Sequence, residues 1–290
     1  MISGIINLNK PSDMSSAKCV SIVKATLKNI RNDNTCIDKI GHMGTLDPMG
    51  CGVLLLGVGK ATRLFNWYLA HDKTYIAYFA FGYQTDTLDC TGKVLYKTDN
   101  IPTLRQVQEA SCKFVGELNQ LPPQFCSKSV GGVRAYKYAR VGKVVDLKPS
   151  MVKVHSIKVR PTDDLCIFKF EIACSSGTYI RSLCRDIARY LDSFATMTYI
   201  CRTRCDKFEL AQSVELQDVS LDNLLPMDNC LPNLPKFNLP SNLLASLLNG
   251  VKVHLDCVLD GPHIIYCGDK LFGIASTEED SRLVIKSNLY

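Results

Sequence analysis

A glycine-rich segment, residues 41–63 with the sequence GHMGTLDPMGCGVLLLGVGKATR, constrains the fold more than any other part of the chain. Its one acidic residue, Asp47, precedes Pro48. Four glycines lie close to it: Gly41, Gly44, Gly50 and Gly52. A residue before proline avoids helical backbone, so we expect Asp47 on a loop that can approach a ligand closely. The alternative interpretation is an ordinary turn residue beside a proline.

Helix and strand patterns occur in irregular order along the first 230 residues, which predicts an α+β fold. One helix is expected after Ser15 and Ser16, a second after the capping-box pattern at 103–106 with Gly116 as its stop, and a third over 180–191. The apolar face of the first helix comprises Val20, Val23, Leu27 and Ile30. Aromatic or alternating runs predict strands over 75–81 and 166–174.

A proline-rich stretch at 225–240 predicts a linker between two domains, 1–230 and 231–290. The second domain is expected to be small and β-rich. Its predicted strands are Val251–Leu255, His263–Tyr266, Leu271–Ile274 and Leu283–Ile285.

Charge and cysteine content narrow the possible functions. The net charge is +6, and because residues 231–290 hold five basic and six acidic residues, the positive excess lies in residues 1–230, which weakly favours an anionic partner such as nucleic acid. The 14 cysteines include no CxxC pair, so we expect reduced thiols and no metal site. We find no membrane-spanning run and no targeting peptide, and expect a cytoplasmic protein.

Four further residues could carry chemistry. Asp86 and Asp89 could hold a divalent cation, although two acids three residues apart are more typical of a polar turn. Arg181 lies in the first turn of a predicted helix, where a cation is unfavourable for the helix dipole, and this indicates an anionic partner. His42 shares the glycine-rich segment with Asp47.

Five ordered motifs resemble those of the TruB family, the tRNA pseudouridine synthases that act on the T loop. The segment Gly41–Pro48, followed by Gly52 and Gly59–Arg63, resembles the catalytic motif. The other four are Asn9–Lys10–Pro11 with Met14–Ser15–Ser16, Lys73–Thr74–Tyr75 running on to Thr85–Gly92, Pro122–Lys128 with Gly132–Tyr136, and Gly177–Leu183. The match extends over about residues 1–210, and the tail resembles the small PUA-like domain of the family.

The resemblance implies a pseudouridine-synthase fold, with a mixed, largely antiparallel sheet flanked by helices, an RNA-contacting insertion near 120–150 and a PUA-like C-terminal domain. It implies that uridine 55 of tRNA is flipped out and isomerised to pseudouridine. Asp47 would be the catalytic carboxylate, Arg181 its ion-pair partner, and Tyr75 the residue that stacks on the base, with a second possible role as proton-transfer base. A covalent adduct and a glycal-type route both remain open.

Substrate-binding residues are also implied. His42 would occupy the space that the flipped base leaves, and Tyr179 and Ile200 would line the uracil pocket. The expected phosphate contacts are Lys10, Lys60, Arg63, Lys128, Arg134 and Arg202. Four positions depart from the family pattern: Ile200 replaces a leucine, Cys201 removes a positive charge, and Ala188 and Asp206 each replace a glycine.

No redox cofactor is expected, since no electrons or atoms enter the reaction. The expected partner is tRNA, without a membrane or guide RNA, and the expected state is a monomer. Three alternatives stay open: a non-catalytic RNA-binding protein on the same scaffold, a guide-RNA-dependent pseudouridine synthase, and a metal-dependent nuclease using Asp86 and Asp89. The compact tail, and a first motif close to residue 1, favour the stand-alone bacterial type.

Overall fold

The structure is a computed structural model that describes residues 2–29 and 39–290. Its α-helices are α1 (Ser16–Asn29), α2 (Phe65–Leu69), α3 (Leu104–Cys112), α4 (Ala135–Arg140), α5 (Ile180–Tyr190) and α6 (Leu243–Leu248). Its strands are β1 (Gly4–Lys10), β2 (Ile40–His42), β3 (Cys51–Val58), β4 (Lys73–Phe81), β5 (Tyr83–Thr85), β6 (Val94–Lys97), β7 (Gly116–Gln120), β8 (Ser129–Val130), β9 (Val133–Arg134), β10 (Ser150–Pro161), β11 (Ile167–Cys174), β12 (Ala195–Cys205), β13 (Phe208–Glu209), β14 (Val214–Glu215), β15 (Leu225–Pro226), β16 (Lys236–Leu239), β17 (His263–Cys267), β18 (Lys270–Thr277) and β19 (Leu283–Asn288).

One large sheet forms the centre of the molecule, with the strand order β14-β1-β3-β12-β4-β11-β10-β7. The pairs β1–β14 and β3–β12 are parallel, and the other pairs along this order are antiparallel. The prediction of an α+β fold with a mixed, largely antiparallel sheet is confirmed.

Strand β3 explains the long apolar run of the glycine-rich segment, because it is buried on both faces. Val53 and Leu55 pack into one core cluster, whereas Leu54, Leu56 and Val58 pack with helix α1 into another. A strand covered on both faces needs apolar residues at successive positions rather than at alternate ones.

Helices cover the sheet where the sequence predicted them. Ser15 accepts a hydrogen bond from the backbone of Lys18 at the start of α1, and the capping box at Thr103 is present at the start of α3. Ile30, predicted on the apolar face of α1, lies outside the described residues. The expected role of Gly116 is wrong, because α3 ends at Cys112 and Gly116 begins β7 with a φ of 112°.

The C-terminal residues form their own sheet, in which β16 pairs with β17 in parallel and β17, β18 and β19 are antiparallel. Three of the four strands predicted in the tail are present. The prediction for Val251–Leu255 is wrong: this segment is irregular, with His254 in an isolated bridge.

The proline-rich stretch is not a free linker. Its first residues form β15, which pairs with β1, and Cys230 and Leu231 are buried. Cys230 packs with Ile5 of the central sheet and with Ile274 of the C-terminal sheet in one hydrophobic cluster. The two parts of the chain therefore share a core.

In the described part of the chain, no helix combines the length and the apolar character needed to cross a bilayer.

Candidate active site

Asp47 lies on the loop between β2 and β3, as the sequence predicted. The loop turns at Pro48, where the Gly50 N–H donates to the Asp47 carbonyl at 3.0 Å. The neighbours Leu46 and Met49 are buried in the main core, whereas the Asp47 side chain is 35% exposed. The buried neighbours therefore anchor the loop and leave the carboxylate accessible.

Arg181 and Asp47 form a two-pronged ion pair. Arg181 Nε lies 2.8 Å from Asp47 Oδ2, and Arg181 Nη2 donates to Asp47 Oδ1 at 3.0 Å. Arg181 is the second residue of α5, and its side chain is 5% exposed. A planar guanidinium matches a carboxylate in this geometry and fixes its orientation.

The remaining N–H groups of Arg181 point at other segments of the site. Nη1 donates to the Thr87 carbonyl at 2.9 Å and lies 3.7 Å from Asp89 Oδ2, while Nη2 also donates to the Phe125 carbonyl at 2.9 Å. Arg181 thus joins three loops, and the unfavourable position of its charge in the helix is balanced by these acceptors.

Asp89 also belongs to this network, which the sequence did not predict. Its buried carboxylate accepts hydrogen bonds from the hydroxyls of Thr87 and Thr91, at 2.8 and 2.6 Å. Asp86 accepts instead from the backbone of Lys93 at 2.8 Å. Both acids therefore stabilise the turn between β5 and β6, the alternative that the sequence favoured over a cation site. Over residues 2–29 and 39–290, no three His, Cys, Asp or Glu side chains are grouped to hold a metal.

Lys10 is a correction to the expected phosphate contacts. Its side chain is fully buried, and Nζ donates to the carbonyls of Pro11, Met14 and Pro48 at 2.7, 2.5 and 3.1 Å. All three ammonium donors are occupied, so Lys10 cannot reach an RNA phosphate in this arrangement. It ties the start of α1 to the loop that carries Asp47.

Ser16 holds the same loop from the other side of Asp47. Its hydroxyl donates to the Leu46 carbonyl and accepts from the Leu46 N–H, both at 3.0 Å. The sequence identified Ser16 as a helix-start residue within one of the five motifs. Its pairing with residue 46 is a contact that local sequence patterns do not reveal.

Arg202 is the second correction. It is 2% exposed, and it donates from Nε to the Val53 carbonyl at 2.7 Å and from Nη2 to the Gly44 carbonyl at 3.1 Å. Its charge therefore supports β3 and the Asp47 loop from inside, rather than contacting RNA. Arg202 is buried because β12 and β3 approach closely at this point: a Cβ at Gly52 would meet the Arg202 carbonyl at 2.3 Å.

Tyr75 lies on β4 opposite Arg202 and is 8% exposed. It shares a core cluster with Leu46 and Met49, the residues that flank the Asp47 turn. Burial raises the pKa of Tyr75 to about 12, against a smaller opposing effect of the Arg202 charge. Its phenol is therefore protonated at neutral pH.

Ile200 and Tyr179 have different surroundings. Ile200 belongs to the Tyr75 cluster and packs so closely on the Asp47 loop that a Cβ at Gly50 would meet its Cγ2 at 3.1 Å. Half-buried Tyr179 is the N-cap residue of α5, and the Gln120 side chain binds its backbone N–H and carbonyl at 2.8 and 3.1 Å. Burial raises the pKa of the Tyr179 hydroxyl above its ordinary value.

His42, on β2, is half-buried, and its Nδ1 is a buried atom without a hydrogen-bond partner in the described structure. Burial and the nearby Arg202 charge lower its pKa, so its imidazole is neutral at pH 7. An unpaired buried nitrogen is costly, and it leaves His42 an unused polar group at the base of the loop.

Lys128 and Arg134 lie on and beside the β8–β9 hairpin, which follows Phe125 in the chain. Lys128 Nζ donates to the Lys148 carbonyl and Ser150 hydroxyl at 3.0 and 2.6 Å, and exposed Arg134 donates to the Ser127 carbonyl at 2.6 Å. The Phe125 carbonyl accepts a hydrogen bond from Arg181, so the segment that leads into this hairpin is linked to the Asp47 centre.

Lys60 and Arg63 lie on the 3₁₀ turn after β3, against the end of the C-terminal sheet. Lys60 Nζ is 5.5 Å from the centre of the Tyr290 ring, and exposed Arg63 donates to the Asn288 carbonyl. The structure thus divides the six expected phosphate contacts into two buried residues, Lys10 and Arg202, and four that reach the surface.

Comparison with known proteins identifies the family. Residues 31–180 match the model of the TruB family pseudouridylate synthase, N-terminal domain. The tRNA pseudouridine synthase B of Clostridium kluyveri is 32% identical over 98% of this chain and 99% of its own, and that of Borreliella burgdorferi is 35% identical over 88% of each. A solved Cbf5–Nop10–Gar1 complex contains a chain of similar fold, with a TM-score of 0.70 at 22% identity, covering 99% of this chain and 85% of that chain.

The family match covers more than half of the residues, and the Clostridium relative aligns over almost the whole of both chains. The chain therefore belongs to the TruB family of pseudouridylate synthases.

Proposed function

We propose that this chain converts uridine 55 in the T loop of tRNA to pseudouridine, with Asp47 as the catalytic carboxylate. Family membership makes the chain a pseudouridine synthase, an isomerase, and curated relatives are named for tRNA. The observation that carries the assignment of Asp47 is its ion pair: Arg181 binds both oxygens, yet 35% of the Asp47 side chain remains exposed.

The reaction breaks the C1′–N1 bond of uridine, rotates the base and joins C5 to C1′. N1 gains a proton and C5 loses one, so the composition of the RNA does not change. A carboxylate held beside C1′ either bonds to the nucleotide or stabilises the positive charge that develops on the sugar. Both routes need an oriented anion, and the geometry around Asp47 supplies one.

Arg181 positions this anion rather than reacting itself. Its side chain is buried, and its hydrogen bonds to Thr87, Phe125 and Asp47 leave it little freedom to move. A preorganised charge pair needs little rearrangement during the reaction, which is the main source of electrostatic rate enhancement.

Tyr75 contacts the target base through its ring. The pKa of about 12 makes the phenolate scarce at neutral pH, which favours stacking over general-base catalysis. Ile200 and Tyr179 then line the sides of the uracil pocket.

His42 fills the space that the flipped base leaves in the T loop. A neutral imidazole is suited to this contact, because it can stack without placing a charge among bases. The surface cations Lys60, Arg63, Lys128 and Arg134 bind phosphates.

The chain acts as a monomer on bare tRNA, without guide RNA or partner protein. The Clostridium relative, which is named for tRNA, aligns over nearly its full length with this chain and supports tRNA as the substrate. The solved chains of similar fold occur in H/ACA assemblies, but at 21–22% identity they bear on fold alone.

Tritium release from tRNA transcripts labelled at uridine C5 tests the proposal, since joining C5 to C1′ expels that hydrogen. The purified chain alone should release tritium. Asp47→Asn, and a transcript with cytidine at position 55, should abolish the release. Asp47→Asn should still bind tRNA, because it keeps the size of the side chain.

Two results would overturn the proposal. No release by folded, RNA-binding wild type would favour a non-catalytic role, or a partner-dependent one if added guide RNA restored the release. Release that survives the change at position 55 would place the target uridine elsewhere.

A further inference from the structure

Two cysteines face each other where the Asp47 loop joins the central sheet. Cys51 is the first residue of β3, and it pairs in register with Cys201 on the parallel strand β12. Paired residues of neighbouring strands point to the same face, with Cα atoms about 4.8 Å apart. Disulfides span Cα separations of about 4.4–6.8 Å, so this register places the two thiols within bonding range.

The sulfur positions agree with the register. A Cβ built on Gly52 would meet Cys201 Sγ at 2.9 Å, so this sulfur lies against the β3 backbone beside Cys51. Cys51 Sγ lies 3.3 Å from Tyr199 Oη and 3.6 Å from the Ile200 carbonyl. Both sulfurs thus lie between the two strands, and that of Cys51 contacts polar groups.

The two thiols differ in reactivity. The neighbouring Cys201 thiol lowers the pKa of Cys51, whereas Cys51 raises the pKa of Cys201, and Tyr199 and Ser12 also lower the Cys51 value. Cys51 is half-buried, whereas Cys201 is 6% exposed. The accessible sulfur is therefore the better nucleophile, and the buried one keeps its proton.

We propose that Cys51 and Cys201 are an oxidisable thiol pair, which a peroxide closes to a disulfide between β3 and β12. The Cys51 thiolate attacks the peroxide oxygen, giving a sulfenic acid and hydroxide. The Cys201 sulfur then attacks the Cys51 sulfur and releases water. In total two thiols and one hydrogen peroxide give one disulfide and two waters.

The bridge would act on the active site through its position. Cys51 directly follows Gly50, and Ile200, next to Cys201, packs against Gly50. Closing a bond of about 2.05 Å draws the strands together beneath the turn that carries Asp47. This consequence rests on the proposed function; the oxidation itself does not.

The test treats the full chain with a graded series of hydrogen peroxide concentrations, blocks free thiols, and maps the products by peptide mass spectrometry. We expect a Cys51–Cys201 cross-linked peptide, two hydrogens lighter than the separate peptides, before other cysteines are modified. In Cys201→Ser, a 1,3-dione probe should label the Cys51 sulfenic acid. Cys112→Ser, a change at an exposed cysteine on α3, should behave as wild type.

Oxidation of Cys51 without a link to Cys201, or faster modification of exposed Cys90 or Cys112, would overturn the proposal. These outcomes are measured on the wild-type protein alone, so they do not depend on whether a variant folds. In the same samples tritium release should fall about tenfold and recover with dithiothreitol. Unchanged release from cross-linked protein would overturn the restraint on the loop. Absence of release even when reduced would refute the proposed function, while the cross-link would still stand.

Discussion

Arg181 meets both carboxylate oxygens of Asp47, at 2.8 and 3.0 Å, from the first turn of α5. The pairing links a helix start to a glycine-rich loop 134 positions earlier in the chain. Arg181 also donates hydrogen bonds to the carbonyls of Thr87 and Phe125, and Nη1 lies 3.7 Å from Asp89 Oδ2, so one side chain sets the relative position of three loops.

We expect Arg181→Lys to lower the single-turnover rate by about 100-fold, because an ammonium cannot bind both oxygens and reach the carbonyls of Thr87 and Phe125 as well. The affinity for tRNA should change little, since Arg181 is buried. Rapid-quench assays with enzyme in excess measure the rate, and filter binding measures the affinity. A rate within threefold of wild type would contradict the positioning role.

Lys10→Met removes a buried ammonium that donates hydrogen bonds to three carbonyls. We expect the free energy of unfolding to fall by about 2 kcal/mol and turnover to fall about tenfold, because Pro48 loses the contact that holds the Asp47 loop. The dependence of tRNA affinity on salt should stay as in wild type. Arg134→Gln is the control, since losing one phosphate contact lowers that slope by about one. A lowered slope in Lys10→Met would restore Lys10 as a phosphate contact.

The basic residues show what the sequence could and could not predict. The fold class, the position of Asp47 and the candidate pairing with Arg181 follow from motifs whose residue types and order are visible in the sequence. Lys10 and Arg202 were misassigned because a positive charge is visible but its burial is not. The burial of Arg202 depends on β3 and β12 approaching at Gly52, and Lys10 contacts the Pro48 carbonyl, 38 positions later; both are long-range contacts.

Local patterns failed in a similar way elsewhere. Asp89 looked like a turn residue, which it is, but its second role beside Arg181 depends on tertiary packing. The prolines after residue 225 predicted a linker, since linkers are often rich in proline. In the structure β15 pairs with β1, and the buried residues Cys230 and Leu231 hold the segment against the sheet.

Tyr75 should make stability depend on pH in the alkaline range. Its pKa is about 12 in the folded state and near 10 when unfolded, so between these values only the unfolded chain loses the proton, and the free energy of unfolding falls as pH rises. The full effect of two pH units is about 2.7 kcal/mol, of which about 1 kcal/mol is lost by pH 10.5–11.

Tyr75→Phe isolates this contribution, because the other tyrosines are common to both proteins. Urea unfolding at pH 8, 9, 10 and 10.5 should show wild type losing stability more steeply than the variant. Parallel curves would mean that the Tyr75 hydroxyl is not desolvated in the folded protein.

The shared core between the central and C-terminal sheets should make them unfold together. Ile274 of β18 is fully buried in the cluster that also contains Ile5 of β1, so Ile274→Ala should cost about 3 kcal/mol through the cavity that it leaves.

Trp67, the one tryptophan of the chain, donates a hydrogen bond to Ser287 at 3.1 Å and reports on this junction. Its fluorescence and the far-ultraviolet circular dichroism should follow one transition, shifted equally by the mutation. Val258→Ala, at an exposed position, should shift neither signal by more than about 0.5 kcal/mol. Two separate transitions, with only one moved by Ile274→Ala, would show that the C-terminal sheet unfolds independently of the domain that carries Asp47.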